Sequence, residues 1–191
     1  MKIGILALQG DFFEHISMLH QLGMETVEVR LPQDLAGIAG LIIPGGESTT
    51  IGKLAVMYGL MDPLQKLAAE IPIWGTCAGM IFMAKQIDSE QPLLGIMDIV
   101  VQRNAFGRQL DSFSTHLDIP LLHKWEPNPF PAIFIRAPKL VAVRSDAEVL
   151  AELNDGTAVA AQQGKRLVTA FHPELSKDDR FHRYFLSLTQ N

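Results

Sequence analysis

One cysteine, one His-Pro-Glu triplet and one Pro-Gly-Gly loop carry the chemistry legible in this chain. Cys77 stands in Gly75-Thr76-Cys77-Ala78-Gly79, after a short apolar run ending at Ile73 and Trp74 and before a helix-compatible run over residues 80–86. This pattern reads as a strand-to-helix elbow with a thiol nucleophile at its tip. The flanking glycines allow a sharp turn and close packing, so Cys77 is held out at the top of a sheet. A helix N-terminus beside the sulfur favours thiolate. A lone cysteine is ordinarily a small buried hydrophobe; the glycines, the strand before and the helix after are what set this one apart. His172, Pro173 and Glu174 follow another apolar run, residues 167–171, at the same edge of the sheet. His172 can take the thiol proton and return one to a leaving amine, and Glu174 can fix one imidazole tautomer and stabilise its charged form. The order cysteine, histidine, acid differs from that of α/β-hydrolases, where the acid lies between nucleophile and histidine.

An acyl-transfer site also needs an oxyanion pocket. Its expected donors are the N–H of Ala78, next to the nucleophile, and a backbone N–H from Gly45 or Gly46. Those two glycines belong to Pro44-Gly45-Gly46-Glu47-Ser48-Thr49-Thr50, which follows an apolar run ending at Ile43, where open α/β sheets bind ligands. Ser48 or Thr49 is the expected cap of a helix beginning near Ile51. Two arginine-bearing stretches stand out as well: Arg103, Asn104, Phe106, Gly107, Arg108 and Gln109, and Phe134, Ile135, Arg136, Ala137 and Pro138. A guanidinium fork suits an α-carboxylate, although such arginines taken alone are commonly surface charges. The remaining histidines suggest no metal site. His15 and His20 read as surface or partner contacts on the first helix, and His116, His123 and His182 lack ligand spacing.

These residues need a scaffold. An apolar run opens the chain over residues 2–8, as a central parallel strand does. A helix follows, capped by Asp11, with Phe12, Ile16, Leu19 and Leu22 as its apolar stripe and Gly23 as its stop. Further strands are expected over residues 26–29 and 41–43, with a short helix or turn over 32–38 between them and a helix over 61–71 before the elbow. This alternation indicates a doubly wound α/β sheet. After the elbow, apolar runs at 94–101, 113–119, 132–135, 140–143, 149–153, 158–162 and 167–171 read as short strands forming an antiparallel addition to the core, and residues 176–188 as a final helix. The Pro-rich KWEPNPFP stretch is a loop within the domain.

Composition narrows the function classes. The chain has 191 residues, enough for one domain spanning residues 1–191 with a sizeable core. With 48% hydrophobic and 19% charged residues it is neither disordered nor a coiled coil. A net charge of −5 without a basic cluster argues against nucleic acid. One cysteine precludes an internal disulfide and fits a reducing compartment. The first apolar run is too short for a signal-peptide core, and no run approaches the roughly 20 residues of a membrane span. A cytoplasmic location is the expectation.

GTCAG with a later HPE resembles the class I, triad-type glutamine amidotransferases. PGGES followed by TT, then RNAFGRQ, DSF, FIRAP and AFHPE, together with the opening LALQGDFxEH, are similar to the glutaminase subunits of pyridoxal 5′-phosphate synthases over essentially the whole chain. The resemblance implies a flavodoxin-like three-layer sandwich with a mostly parallel sheet and added antiparallel strands. It implies hydrolysis of L-glutamine to glutamate and ammonia through a thioester on Cys77, with His172 and Glu174 completing the triad. Gly46, Glu47 and Ser48 would touch the glutamine, Arg103 would lie at its carboxylate end, and Ile135 with Arg136 would line the pocket. Neither cofactor nor metal is implied. The implied partner is a barrel-shaped synthase subunit that receives the ammonia, builds vitamin B6 from a pentose phosphate and a triose phosphate, and switches the glutaminase on by ordering the PGGES loop. Gln9 and Gly10 are plausible contacts for it. Three alternatives remain: a glutaminase serving another synthase, such as that for histidine or a folate precursor; a stand-alone cysteine peptidase or chaperone-like relative; and a non-catalytic regulatory subunit.

Overall fold

The computed structural model describes residues 1–103 and 112–190. Strand β1 (Lys2–Leu6) leads through helix α1 (Phe12–Gln21) to β2 (Glu25–Val29), and a 3₁₀ turn at Pro32–Leu35 leads on to β3 (Gly40–Ile43). Helices α2 (Ser48–Met57) and α3 (Met61–Leu67) then precede β4 (Ile73–Thr76) and the short α4 (Ala78–Met83). The second half contains β5 (Ala84–Ile87), β6 (Met97–Gln102), β7 (Ser112–Leu117), β8 (Phe130–Ile135), β9 (Lys139–Val143), β10 (Glu148–Glu152), β11 (Ala158–Gln163), β12 (Arg166–Thr169) and α5 (Arg180–Leu188).

The main sheet has the order β10-β11-β12-β4-β3-β1-β2. Five of its strands, β2, β1, β3, β4 and β12, run parallel, and β11 and β10 continue antiparallel beyond β12. The parallel part has the flavodoxin-like order, with strand order reversing beside β1, so the crevice at the carboxyl ends of β1 and β3 is where such sheets bind ligands. Side chains alternate across a strand. Trp74 of β4 packs on Phe181 and Phe185 of α5, at centroid distances of 6.1 and 5.7 Å, while Gly75 faces Gly79 and Met83 of α4 on the other side. Strands β5, β6 and β9 form a second sheet, and β7 pairs with β8 as an antiparallel two-stranded ribbon.

The structure departs from the sequence pattern at three points of the fold. The strands after the elbow are not one appended antiparallel set: β12 lies parallel to β4 inside the main sheet, through the register Leu167 to Trp74 and Thr169 to Thr76. The elbow helix stops at Met83, because Leu94 and Ile96 donate their N–H groups to the carbonyls of Phe82 and Met83, and Ala84 turns extended to begin β5. The last helix begins at Arg180 and not at Ser176. The Ser176 hydroxyl bonds the Pro173 carbonyl at 2.8 Å and receives the Asp178 N–H at 3.2 Å, a side-chain turn that competes with helix. Arg180, almost fully buried, then pairs with Asp178 at 2.6 Å and donates to the carbonyls of Glu126, Asn128 and Pro129, fastening the Pro-rich loop to α5.

Candidate active site

The ends of β1, β3, β4, β8 and β12 build the site, with Arg103 after β6. β4 ends one residue before Cys77, which has φ 47° and ψ −102°, a strained backbone for a residue with a Cβ and the geometry of a nucleophile at a sharp turn. The turn can be this tight because α4 lies directly against β3: a Cβ on Gly79 would sit 2.1 Å from the Ile43 carbonyl oxygen. β12 runs parallel to β4, so His172 emerges on the same edge as Cys77, as the sequence pattern suggests. The β7–β8 ribbon is tied in by the His172 N–H, which donates to the Ile133 carbonyl at 2.8 Å. This places the Ile135 carbonyl 3.9 Å from the Cys77 sulfur and sets Arg136, at φ 41°, into the wall.

The imidazole lies between the thiol and a carboxylate. His172 Nδ1 donates to Glu174 Oε1 at 2.6 Å, and both side chains are almost fully buried. Burial alone would lower the His172 pKa, but the Cys77 sulfur and the Glu174 carboxylate outweigh it, and the imidazole is pushed up to about 10. Its charged form therefore persists at neutral pH beside the Cys77 sulfur. Burial pushes the Glu174 carboxyl up, against the pull of His172. Asp11 is not the capping residue expected: its side chain makes no capping bond to α1, and its Oδ2 lies 3.7 Å from His172 Nδ1. Asp11, His172 and Glu174 thus bring three potential ligand atoms together, but two of the three are already engaged with each other.

The opposite wall comes from β1 and β3. The Asp11 N–H donates to the Gly45 carbonyl at 3.1 Å, and Gln9 Oε1 accepts the Glu47 N–H at 2.7 Å. The two loops touch so closely that a Cβ on Gly10 would fall 1.8 Å from the Gly45 oxygen. Gly45 itself lies against the His172 ring. The cap of α2 is Glu47, not Ser48 or Thr49. Partial burial works against its carboxylate, but the bonds it accepts from the hydroxyl and N–H of Thr50 and the N–H of Thr49 bring it down to about 2. Ser48 and Thr49 direct their hydroxyls to Gln91 Oε1 instead. Arg103 closes this side, donating to Glu47 at 3.2 Å, Thr49 at 3.1 Å and Gln91 at 3.0 Å.

Together these groups enclose a cavity of about 420 Å³, lined by Gly46, Glu47, Ser48, Cys77, Ala78, Arg103, Ile135, Arg136 and His172 among others. That volume suits a small polar ligand. Asn104, Phe106, Gly107, Arg108 and Gln109 lie outside the described residues. Asp11, Ile81 and Leu175 also line the cavity and Gln91 is the acceptor behind the loop, none of them expected from the sequence; Gln91 sits in an ordinary loop that carries no local signal. His15, expected at the surface, is fully buried and bonded to His182; its position three residues after Phe12 and four before Leu19 puts it on the apolar stripe.

A sequence profile of the SNO glutamine amidotransferase family matches residues 5–191. The chain belongs to that family. Among its relatives, a protein named pyridoxal 5′-phosphate synthase subunit PdxT from Herpetosiphon aurantiacus is 58% identical, over 98% of this chain and 100% of its own. A protein of the same name from Dehalococcoides mccartyi is 54% identical, over 100% of this chain and 98% of its own. A crystal structure described as a glutamine amidotransferase superposes with a TM-score of 0.92 at 49% identity, covering 99% of each chain. Among the described residues, no helix of this glutamine amidotransferase is long and apolar enough to cross a membrane.

Proposed function

We propose that this chain is the glutaminase subunit of a pyridoxal 5′-phosphate synthase, hydrolysing L-glutamine in the cytoplasm and passing the ammonia to a barrel-shaped synthase partner. The observation that carries this reading is the single cavity onto which Cys77, His172 and the loop after β3 converge. The Cys77 thiolate attacks the side-chain carboxamide carbon of glutamine. The negative charge formed on oxygen is met by the N–H of Ala78 and an N–H of the Gly45–Gly46 segment. The charged His172 gives its proton to the departing nitrogen, releasing ammonia and leaving a γ-glutamyl thioester on Cys77. His172, now neutral, takes a proton from water, which attacks the thioester and frees glutamate and the thiol. Glu174 holds the imidazole in the tautomer this sequence requires. The Arg103 fork serves the α-carboxylate of glutamine, while Gly46, Glu47, Ser48, Ile135 and Arg136 shape the pocket around it.

The family membership, the names of the relatives and the conjunction of these residues support this reading over a peptidase or an inactive subunit. It is tested by measuring ammonia release from glutamine by the chain alone and with a synthase subunit, with Cys77→Ser as control. Little release alone, clear release together and none from the variant is the expected result. Peptide hydrolysis without glutamine turnover would overturn it.

A further inference from the structure

Behind the triad lies a second, buried row of polar groups. His15 from α1 and His182 from α5 are both fully buried, with His15 Nδ1 2.9 Å from His182 Nε2. On its other side, His15 Nε2 lies 3.5 Å from Glu174 Oε2 and 3.3 Å from the Thr76 hydroxyl of β4. Glu174 Oε2 is fully enclosed and makes no ordinary hydrogen bond to a described residue, while Oε1 is taken by His172. A buried carboxylate oxygen with no donor is costly, and His15 is the nitrogen placed to supply one.

The neighbours of the two ring nitrogens of His15 select its proton position. If His15 Nε2 carried no proton, its lone pair would face the Glu174 oxygen. His15 Nδ1–H would then donate to His182 Nε2, so that the His182 proton would sit on Nδ1, which has no partner among the described residues. A buried N–H without an acceptor is among the rarest defects in folded proteins. In the opposite arrangement His182 Nε2–H donates to His15 Nδ1, the protonated His15 Nε2 lies 3.5 Å from Glu174 Oε2 and 3.3 Å from the Thr76 hydroxyl, both able to accept, and only an acceptor is left over. Burial holds both histidines neutral, His15 well below its ordinary pKa and His182 down at about 3.

We infer that His15 is a positioning residue for the triad: it donates Nε2–H to Glu174 Oε2 while accepting from His182, and so holds the carboxylate whose other oxygen orients His172. The inference rests on the proposed glutaminase reading for its kinetic consequence only. The titratable groups facing Glu174 are His172 from the end of β12, His15 from α1 and Asp11 from the preceding loop, with His182 one step behind.

The test uses the full chain with a synthase subunit. His15→Gln retains an amide N–H near the Nε2 position, whereas His15→Asn is too short to reach Glu174 and His15→Met has no donor. Expected are a kcat within about threefold of wild type for His15→Gln, a loss of about 10- to 100-fold for the other two, the size seen when partners behind metal-ligating histidines are removed, and KM for glutamine little changed in all three. The ¹⁵N spectrum of the histidine side chains in the wild-type chain at neutral pH gives a second readout that needs no activity: His15 and His182 should both be Nε2–H tautomers. An Nδ1–H tautomer for His15, or equal kcat losses in His15→Gln and His15→Asn, would overturn the inference. If the wild-type complex hydrolyses no glutamine, the proposed function falls, and the ¹⁵N spectrum still decides the placement of the His15 proton.

Discussion

At the scale of single residues, the proposed chemistry depends on one sulfur, one imidazole and a carboxylate held 2.6 Å from it. Glu174→Gln keeps the shape but can present an N–H to His172, favouring the wrong tautomer; kcat for glutamine hydrolysis should fall by roughly 10³-fold or more, and an unchanged kcat would remove Glu174 from the triad. Arg103 has a different part. Its fork is preorganised by Glu47, Thr49 and Gln91, so Arg103→Lys should raise KM for glutamine about tenfold, with a smaller change in kcat, because a point charge does not reproduce a bidentate contact. The meeting of Cys77 with His172 on one edge was legible because GTCAG reads as an elbow between a strand and a helix and HPE follows another apolar run; HPE taken alone reads as an ordinary loop. Asp11 and Gln91 were not, since their contacts with His172 and with the loop after β3 join residues far apart in the chain. His15 was legible in principle: spacing alone put it on the buried stripe, and only its polar side chain suggested the surface.

At the scale of elements, the parallel strands were readable from continuous apolar runs, and the flavodoxin-like order explains why their carboxyl ends share one crevice. The pairing of β12 with β4 was not readable, because strand pairing across about ninety residues leaves no local trace. The cap of α2 was misread because the carboxylate that accepts N–H bonds from Thr49 and Thr50 belongs to a glutamate, an uncommon cap beside two ordinary ones. Glu47→Ala should therefore loosen the start of α2, costing about 1 kcal/mol in a denaturant titration and raising KM for glutamine by releasing Arg103. Unchanged stability and KM would show that the helix holds the loop without its cap.

At the scale of the whole molecule, the buried histidines set how stability responds to acid. His182 ordinarily titrates at 6.5, and burial brings it down to about 3 in the folded chain; His15 is lowered in the same direction. Below pH 6.5 the unfolded chain takes up protons that the folded chain refuses, so the stability contributed by neutral burial is present above 6.5 and lost as pH falls toward 3. His172 has the opposite sign: raised to about 10, it stabilises below 6.5, is flat across the acid range and loses its contribution as pH rises through 10. The denaturation midpoint should fall from pH 7 to pH 5, and fall less in His182→Gln; a midpoint independent of pH over that interval would show that these rings protonate without unfolding. The proposed reaction passes through one sulfur, and the most direct measurement is mass spectrometry of the Cys77 peptide after acid quench of the complete complex turning over glutamine. A γ-glutamyl group on Cys77, removed by hydroxylamine and absent from Cys77→Ser together with all ammonia release, is the expected result. Undiminished ammonia release from Cys77→Ser, with no acyl group on the wild-type peptide, would contradict it.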